Sequence, residues 1–184
     1  MNNRYKTAAI GLLLLGLGGA LVLGVHASEQ ERKEKEGQKN MALATNPLYK
    51  TECGSCHISY PPGLLPARSW EKVMAELDKH FGENAEVNKE TATALLAYLT
   101  EQAADRADNK RSKKVAAAIR SEESPMRITE TRYFQHKHQE IPQRIRDNPK
   151  VGSFSRCERC HPGAEQGSFD EHELRIPGAG RWED

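Results

Sequence analysis

Helical spacing is the clearest hydrophobic periodicity in this chain. Apolar side chains recur three and four residues apart over about 70–80, which predicts a helix that begins after an N-cap at Ser69 and ends at Gly82. A similar apolar row predicts a second helix over about 88–103. No segment alternates strictly enough to predict a β-strand, so the expected fold class is mostly α.

Weaker patterns predict the remaining elements. A short helix should start at Asn46-Pro47 and run into the sequence that follows, while three prolines and a glycine make 60–66 a stiff apolar loop. The charged stretch 105–123 predicts a surface helix or linker, and 129–140 predicts a helix that is stopped by a proline. The C-terminal stretch 163–184 has little periodicity and is expected to be extended.

The N-terminus carries an export sequence. Two basic residues precede an apolar run over 8–25, and small side chains then favour cleavage after Ala27. The alternative is an uncleaved membrane anchor, because this run is just long enough to cross a bilayer. In either case residues 1–27 direct the rest of the chain out of the cytoplasm, with the periplasm as the expected location. A charged tether over 28–46 follows.

All four cysteines lie in two copies of one pentapeptide frame, Cys-x-x-Cys-His. The copies are Cys53-Gly54-Ser55-Cys56-His57 and Cys157-Glu158-Arg159-Cys160-His161. This frame is the attachment site of c-type haem, in which both thiols bond to one porphyrin and the adjoining histidine becomes the proximal iron ligand. The sequence therefore predicts two covalently bound haem c groups.

Two other uses of the cysteines are conceivable. One zinc ion could take all four thiols, but Cys53 and Cys157 are separated by far more than the 15–20 residues typical of a zinc ribbon. Two local disulfides would suit an exported protein. Neither alternative gives a role to the two adjoining histidines, so haem is favoured.

Composition agrees with a cofactor-dependent core. Roughly a third of the residues after the export sequence are hydrophobic, below the usual content of a globular domain. Removing residues 1–27 leaves 25 basic residues against 26 acidic ones, so no net charge indicates nucleic acid. The expected architecture is two small c-type haem-binding units with extensive loops, over 47–104 and 125–184, joined by a charged linker or helix over 105–124.

The first haem needs a sixth iron ligand on its other face. Histidines and methionines beyond the export sequence and the two motifs supply the candidates: His80, His136, His138, His172, Met41, Met74 and Met126. His80 is favoured for the first haem, because 23 residues separate it from His57, enough for a loop and a helix to reach the opposite face. Met74 on the same predicted helix is the alternative.

The second haem has two neighbouring candidates. His138 precedes His161 by the same 23 residues and is favoured. His136 projects from a different face of the same predicted helix, so only one of the two can point inward, and the pattern separates them weakly. His172 lies among acidic residues and is expected to be exposed.

Two histidine ligands on each iron would close both haems to substrate. Such irons suit electron transfer rather than catalysis, and bis-histidine ligation favours a lower potential than histidine–methionine ligation. The predicted function is therefore a periplasmic dihaem electron carrier that is not an enzyme. The alternative is a small peroxidase-like haem enzyme or gas-binding protein with one open iron.

Basic side chains outnumber acidic ones around the second motif. Between Arg127 and Arg159 there are eight basic and four acidic residues. The excess is interpreted either as a solvated face that balances haem propionates or as a patch that docks an acidic redox partner.

The chain resembles the bacterial dihaem cytochrome c family. The likeness is carried by Glu52 to His57, the proline-rich block 60–70, the segment 80–85, and a second block that includes His138 to Pro142, Cys157 to His161, Ala164, Gly167, Phe169 and Ile176-Pro177. The resemblance implies a mostly helical protein with two bis-histidine haems and favours His80 and His138 as distal ligands. It also implies that electrons pass between membrane b-type cytochromes and small soluble haem proteins.

Overall fold

The computed structural model describes residue 41 and residues 44–181. The predicted export sequence over 1–27 and nearly all of the predicted tether lie outside the described residues. The described residues belong to one compact unit. The division into haem units over 47–104 and 125–184 stays a prediction.

The first helix, α1 (Pro47–Glu52), leads directly to the first Cys-x-x-Cys-His segment. Its N-cap is Asn46, whose side chain accepts a hydrogen bond from the Tyr49 amide at 3.1 Å, and a proline occupies the first turn. The sequence predicted that this helix would run on into the segment that follows. Instead, α1 ends at Glu52 and the motif continues as a turn.

Two longer helices form the largest apolar core. They are α2 (Ala67–Ala75) and α3 (Lys89–Glu101), and α3 is capped by the side chain of Asn88. Their apolar faces bury Trp70, Leu95 and Leu99 to 5% exposure or less. The segment that contains His80 follows α2, so this packing fixes where that segment begins.

The helix predicted over 70–80 has different ends in the structure. Its N-cap is Pro66 rather than Ser69, which is buried within the first turn, and α2 stops at Ala75. A single 3₁₀ turn over Leu77–Lys79 follows. The chain then reverses through two residues with positive φ, Phe81 at 53° and Gly82 at 106°, a combination typical of type I′ hairpin turns, and an antiparallel bridge between His80 and Glu83 flanks them.

The charged stretch after α3 is packed rather than loose. It contains α4 (Lys110–Ala117), which lies against a 3₁₀ turn over Pro62–Leu64 in the proline-rich loop. Val115 and Ile119, the weak apolar row in the sequence, are buried there. α4 therefore has an apolar inner face beneath a basic outer one.

The second half consists of short elements around a small core. A 3₁₀ turn over Ile128–Glu130 leads to α5 (Arg132–His138), capped by the Thr131 side chain, and then to α6 (Gln143–Arg146). Further 3₁₀ turns span Cys157–Arg159, Ala164–Gln166 and Glu171–Glu173.

The C-terminal region holds an element that the sequence did not predict. Strands β1 (Arg175–Ile176) and β2 (Gly180–Arg181) pair antiparallel, with Arg175 opposite Arg181. Two residues are too few for alternation to be visible, which is why no strand was expected. Ile176 of β1 packs with Ile145 and Val151 in the small second-half core.

Helices in the described part of the chain are all short. None of them is long and apolar enough to span a membrane. The apolar run over 8–25 lies outside the described residues.

Candidate haem-binding sites

The first pair of thiols lies where α1 ends. Cys53 is the half-buried C-cap residue of α1, and Cys56 is exposed on the turn that follows. Burial, followed by the charge of Glu52, raises the pKa of Cys53 to about 11. Gly54 permits the turn, since a Cβ at this position would overlap the carbonyl oxygen of Lys50. Both thiols are therefore displayed from a tight and rigid turn.

His57 and His80 face each other at the first site. Their ring centroids are 6.2 Å apart and their planes differ by 28°. His57 Nδ1 lies 2.7 Å from the carbonyl oxygen of Ile58, a contact that makes Nδ1 the donor and leaves Nε2 free for a metal. His80 Nδ1 is buried and has no hydrogen-bond partner among the described residues.

Phe81 and Arg127 pack beside His80. The ring of Phe81 lies 4.7 Å from the His80 ring, and the guanidinium carbon of Arg127 lies 4.1 Å from the Phe81 centroid. Burial, then the neighbouring His57 and Arg127, lowers the pKa of His80. The imidazole is thus held neutral, the form that binds a metal.

His138 and His161 face each other at the second site. Their ring centroids are also 6.2 Å apart, but their planes are inclined by 76°. His138 is the last residue of α5, and its Nδ1 lies 2.8 Å from the carbonyl oxygen of Phe134 one turn earlier. The Phe134 ring stacks on the His138 imidazole at 3.9 Å and 15°. These contacts set the plane and tautomer of His138.

The second motif folds as a 3₁₀ turn. The amide of His161 donates to the carbonyl of Cys157 at 2.8 Å, and the carbonyl of Cys160 accepts from the amide of Arg175 in β1 at 2.9 Å. Burial raises the pKa of Cys157 to about 12 and lowers that of His161 to about 4. The thiols and the imidazole are therefore neutral, and the hairpin strand holds the motif in place.

An apolar cavity opens between the second pair of histidines. Its volume is about 320 Å³. It is lined by both cysteines of the second motif, both histidines of the pair and several apolar side chains, among them Phe134, Phe154, Phe169, Ile141 and Ile176. Thiols at one wall, imidazoles on opposite sides and an apolar lining fit the donor set and the surface of one covalent haem.

The other candidate ligands are not paired with a motif histidine in the described part of the chain. His136 also lines this cavity but is exposed, and His172 is exposed and does not line it. Neither ring stacks on His161. Met41 is 2% exposed in the cluster beside α4, although the sequence had placed it in the charged tether. Met74 and Met126 pack against the core of α2 and α3.

The four thiols do not form a common metal site. Among the described residues there is no group of three or more His, Cys, Asp or Glu side chains placed to hold a metal ion. All four cysteines are free rather than paired in disulfides. The geometry thus leaves each motif with its own thiol pair and its own histidine pair.

Aromatic neighbours of the histidines were not singled out from the sequence. Phe134 precedes His138 by four residues, so helical spacing alone could have found it. Tyr60 follows His57 by three residues and stacks on it at 4.7 Å. Phe81 adjoins His80, but its contact depends on a left-handed backbone that no pattern predicts.

Most basic side chains near the second motif are used within the protein. Five of the eight contact acidic groups, an aromatic ring or backbone carbonyls: Arg127, Arg132, Lys137, Arg146 and Arg159. Arg144, Lys150 and Arg156 are exposed and their side chains have no such partner in the described part of the chain. The docking-patch interpretation therefore rests on these three.

Short helices joined by long loops around two thiol and histidine sets are the architecture of a small multihaem c-type cytochrome. The sequence profile described as dihaem cytochrome c matches residues 49–169, which contain both motifs. The chain therefore belongs to the dihaem cytochrome c family.

Solved structures of the family resemble this chain closely. A diheme cytochrome type c from Shewanella baltica OS155 is 44% identical, with 75% of this chain and 98% of that chain covered at a TM-score of 0.63. A diheme cytochrome c from Rhodobacter sphaeroides is 40% identical, with 69% and 98% covered at a TM-score of 0.62. A search of curated proteins found no match.

Membership of the family confirms the cofactor and the mostly helical fold. The protein carries two covalently bound haem c groups with iron, and it is a haem-based electron carrier. Its partners are accordingly redox proteins.

Proposed function

We propose that this protein is a periplasmic electron carrier whose two irons each have two histidine ligands. The thiols of Cys53 and Cys56 would hold the first haem, and His57 and His80 would bind its iron. The thiols of Cys157 and Cys160 would hold the second haem, and His161 and His138 would bind its iron. Neither iron then has an open position for substrate, so the protein transfers electrons without catalysing a reaction.

The spacing of the histidine rings carries this proposal. An imidazole nitrogen binds a transition metal at about 2.0–2.1 Å, so two imidazoles on opposite sides of one metal have centroids about 6 Å apart. Both pairs have centroids 6.2 Å apart. The same distance supports the choice of His138 over His136, because the ring that lies 6.2 Å from His161 is that of His138. His136 is exposed.

The protein's own residues hold both distal histidines in place and in the neutral form. Bound haem would supply a one-electron couple between ferrous and ferric iron. Phe81 and Phe134 pack on the distal imidazoles, and burial lowers the pKa of both His80 and His138. Such fixed ligands need little rearrangement when the charge of the site changes.

The family resemblance supports a place for the protein between two kinds of redox partner. We expect it to pass electrons between a membrane b-type cytochrome and a small soluble haem protein. Export by residues 1–27 would place the carrier in the periplasm, either free or held by an uncleaved anchor. Fractionation of cells that express the full chain tests the location, and recovery in the cytoplasm would exclude it.

Carbon monoxide binding to the reduced protein tests the ligand assignment. We expect no binding in the wild type, because both irons are closed. His80→Ala and His138→Ala should each open one iron and bind carbon monoxide, visible as a change in the Soret band. His136→Ala is the matched control on α5 and should bind none. Binding by the wild type, or by His136→Ala instead of His138→Ala, would refute the assignment.

A further inference from the structure

Tyr60 contacts both haem-binding segments at once. Its ring stacks on the imidazole of His57, with centroids 4.7 Å apart and planes 26° apart. Its hydroxyl donates a hydrogen bond to the carbonyl oxygen of Ser155 at 2.7 Å, although the two residues are 95 positions apart. Ser155 lies two residues before Cys157. One rigid side chain therefore spans from the first proximal histidine to the second motif.

The backbone of Tyr60 is fixed as well. Its carbonyl accepts a hydrogen bond from the hydroxyl of Tyr49 at 2.9 Å, and Tyr49 is 2% exposed within the main core. Pro61, which is buried, follows and restricts the conformation of Tyr60. The ring also packs against the cluster of Leu64 and Val115 beside α4. The side chain is thus held at its base, along its ring and at its hydroxyl.

The segment that receives the hydrogen bond leads straight into the second motif. The Cys157 amide donates to the Ser155 carbonyl at 3.1 Å, so this oxygen accepts from both Tyr60 and the first residue of the motif. Two hydrogen bonds on one carbonyl join the Tyr60 ring to Cys157. The route from the His57 ring to the second motif contains one ring contact and these two hydrogen bonds.

We propose that Tyr60 is a positioning residue that couples the two haem sites for electron exchange. Its ring fixes the plane of His57 and its hydroxyl fixes the backbone that leads to Cys157. In the exchange, one electron leaves the ferrous iron of one site, which becomes ferric, and reduces the ferric iron of the other. No proton moves and no bond is broken. This inference rests on the proposed function, since it takes His57 as an iron ligand.

Three variants of the holoprotein separate the two contacts. Tyr60→Phe keeps the stacked ring and removes only the hydroxyl. Tyr60→Leu removes the ring as well. Tyr98→Phe is the matched control, because the Tyr98 hydroxyl is buried on α3 and has no hydrogen-bond partner among the described residues. The rate of one-electron equilibration between the haems is measured after flash reduction, together with both midpoint potentials and the EPR spectrum.

Tyr60→Phe should equilibrate severalfold more slowly than the wild type, with both midpoint potentials and both low-spin EPR signals preserved. Tyr60→Leu should be slower still and should also change the EPR signal of the first haem, because the His57 plane is released. Tyr98→Phe should match the wild type in every measurement.

An equilibration rate in Tyr60→Phe equal to that of the wild type, or lowered no more than in Tyr98→Phe, would overturn the coupling role. That outcome leaves the ligand assignment intact, since all variants would still show two low-spin haems. A wild-type protein with a high-spin haem would instead contradict the proposed function.

Discussion

Arg146 holds the end of the helix that carries His138. Its guanidinium donates to the carbonyl of His138 at 2.6 Å and to the carbonyl of Ile141 at 3.0 Å, and it lies 5.0 Å from the Phe154 ring. The last carbonyls of α5 have no partner within the helix, so a cation at this end satisfies them. At the scale of single residues, the position of His138, the proposed distal ligand, thus depends on a side chain eight positions away.

Arg146→Lys should destabilise the protein by about 1–3 kcal/mol, because a lysine ammonium cannot reproduce two directed hydrogen bonds from one planar group. Arg144→Lys is the control, since Arg144 lies on the same helix and is exposed. Urea unfolding followed at the Soret band measures both. Equal stability of the two variants would show that the Arg146 contacts do not stabilise this site.

The sequence alone singled out the proposed iron ligands, but not the residues that contact them in the structure. Regular spacing around each motif singled out His80 and His138, because a ligand needs enough chain to reach the opposite haem face. The sequence separated His138 from His136 only weakly, because the choice between the two histidines depends on how α5 packs. Tyr60 could not be found either, because its partner Ser155 is distant in sequence.

Among the elements, α4 depends on close contact with the proline-rich loop. Gly63 of the 3₁₀ turn lies against Ser112 of α4, and a Cβ on Gly63 would overlap the Ser112 hydroxyl oxygen. Ser112 is fully buried and its hydroxyl has no hydrogen-bond partner among the described residues. The two segments therefore approach each other as closely as their side chains permit.

Gly63→Ala should cost about 1–3 kcal/mol of stability, because overpacking forces α4 and the loop apart. Ser112→Ala should be neutral or slightly stabilising, since it removes an unsatisfied buried hydroxyl. The double variant should recover part of the loss, although Ser112 Cβ still lies 3.2 Å from the new methyl group. Thermal unfolding of the wild type, the two single variants and the double variant tests this. If the stability change of the double variant is simply the sum of the two single changes, the predicted contact is contradicted.

Strongly amphipathic segments were predicted best among the elements. The α3 helix was predicted from its long apolar row, and in the structure Asn88 caps it. The N-cap of α2 was predicted at the wrong residue, since Ser69 is a good capping type but tertiary packing buries it in the first turn. The stretch 105–123 is more buried than its charges suggested, because Val115 of α4 and Ile119, just beyond the end of α4, are buried in one apolar cluster.

At the scale of the whole molecule, hydrogen bonds join segments that are distant in sequence. The Met41 amide donates to the carbonyl of Gly167 at 3.2 Å, and the Arg68 side chain donates to the carbonyl of Glu123 at 2.6 Å. Among its described residues, the second region has an apolar core cluster of three buried side chains, and we expect the haem to supply much of its apolar contact. The composition of the chain also predicts this dependence on the cofactor. The two hydrogen bonds could not be predicted, because their partners are distant in sequence.

The two sites differ in the angle between their imidazoles. The planes of His57 and His80 differ by 28°, whereas those of His138 and His161 differ by 76°. The mutual orientation of axial imidazoles sets the anisotropy of a low-spin ferric EPR signal. The two haems should therefore be distinguishable in one spectrum.

Low-temperature EPR of the fully oxidised wild-type holoprotein tests the central claim, that both irons are closed by two histidines. The account predicts two low-spin ferric signals of equal intensity, with the larger anisotropy for the steeply inclined pair, and no high-spin ferric signal. His138→Ala should lose the more anisotropic signal alone, and His80→Ala the other. A high-spin signal in the wild type, or low-spin signals unchanged in either variant, would contradict it.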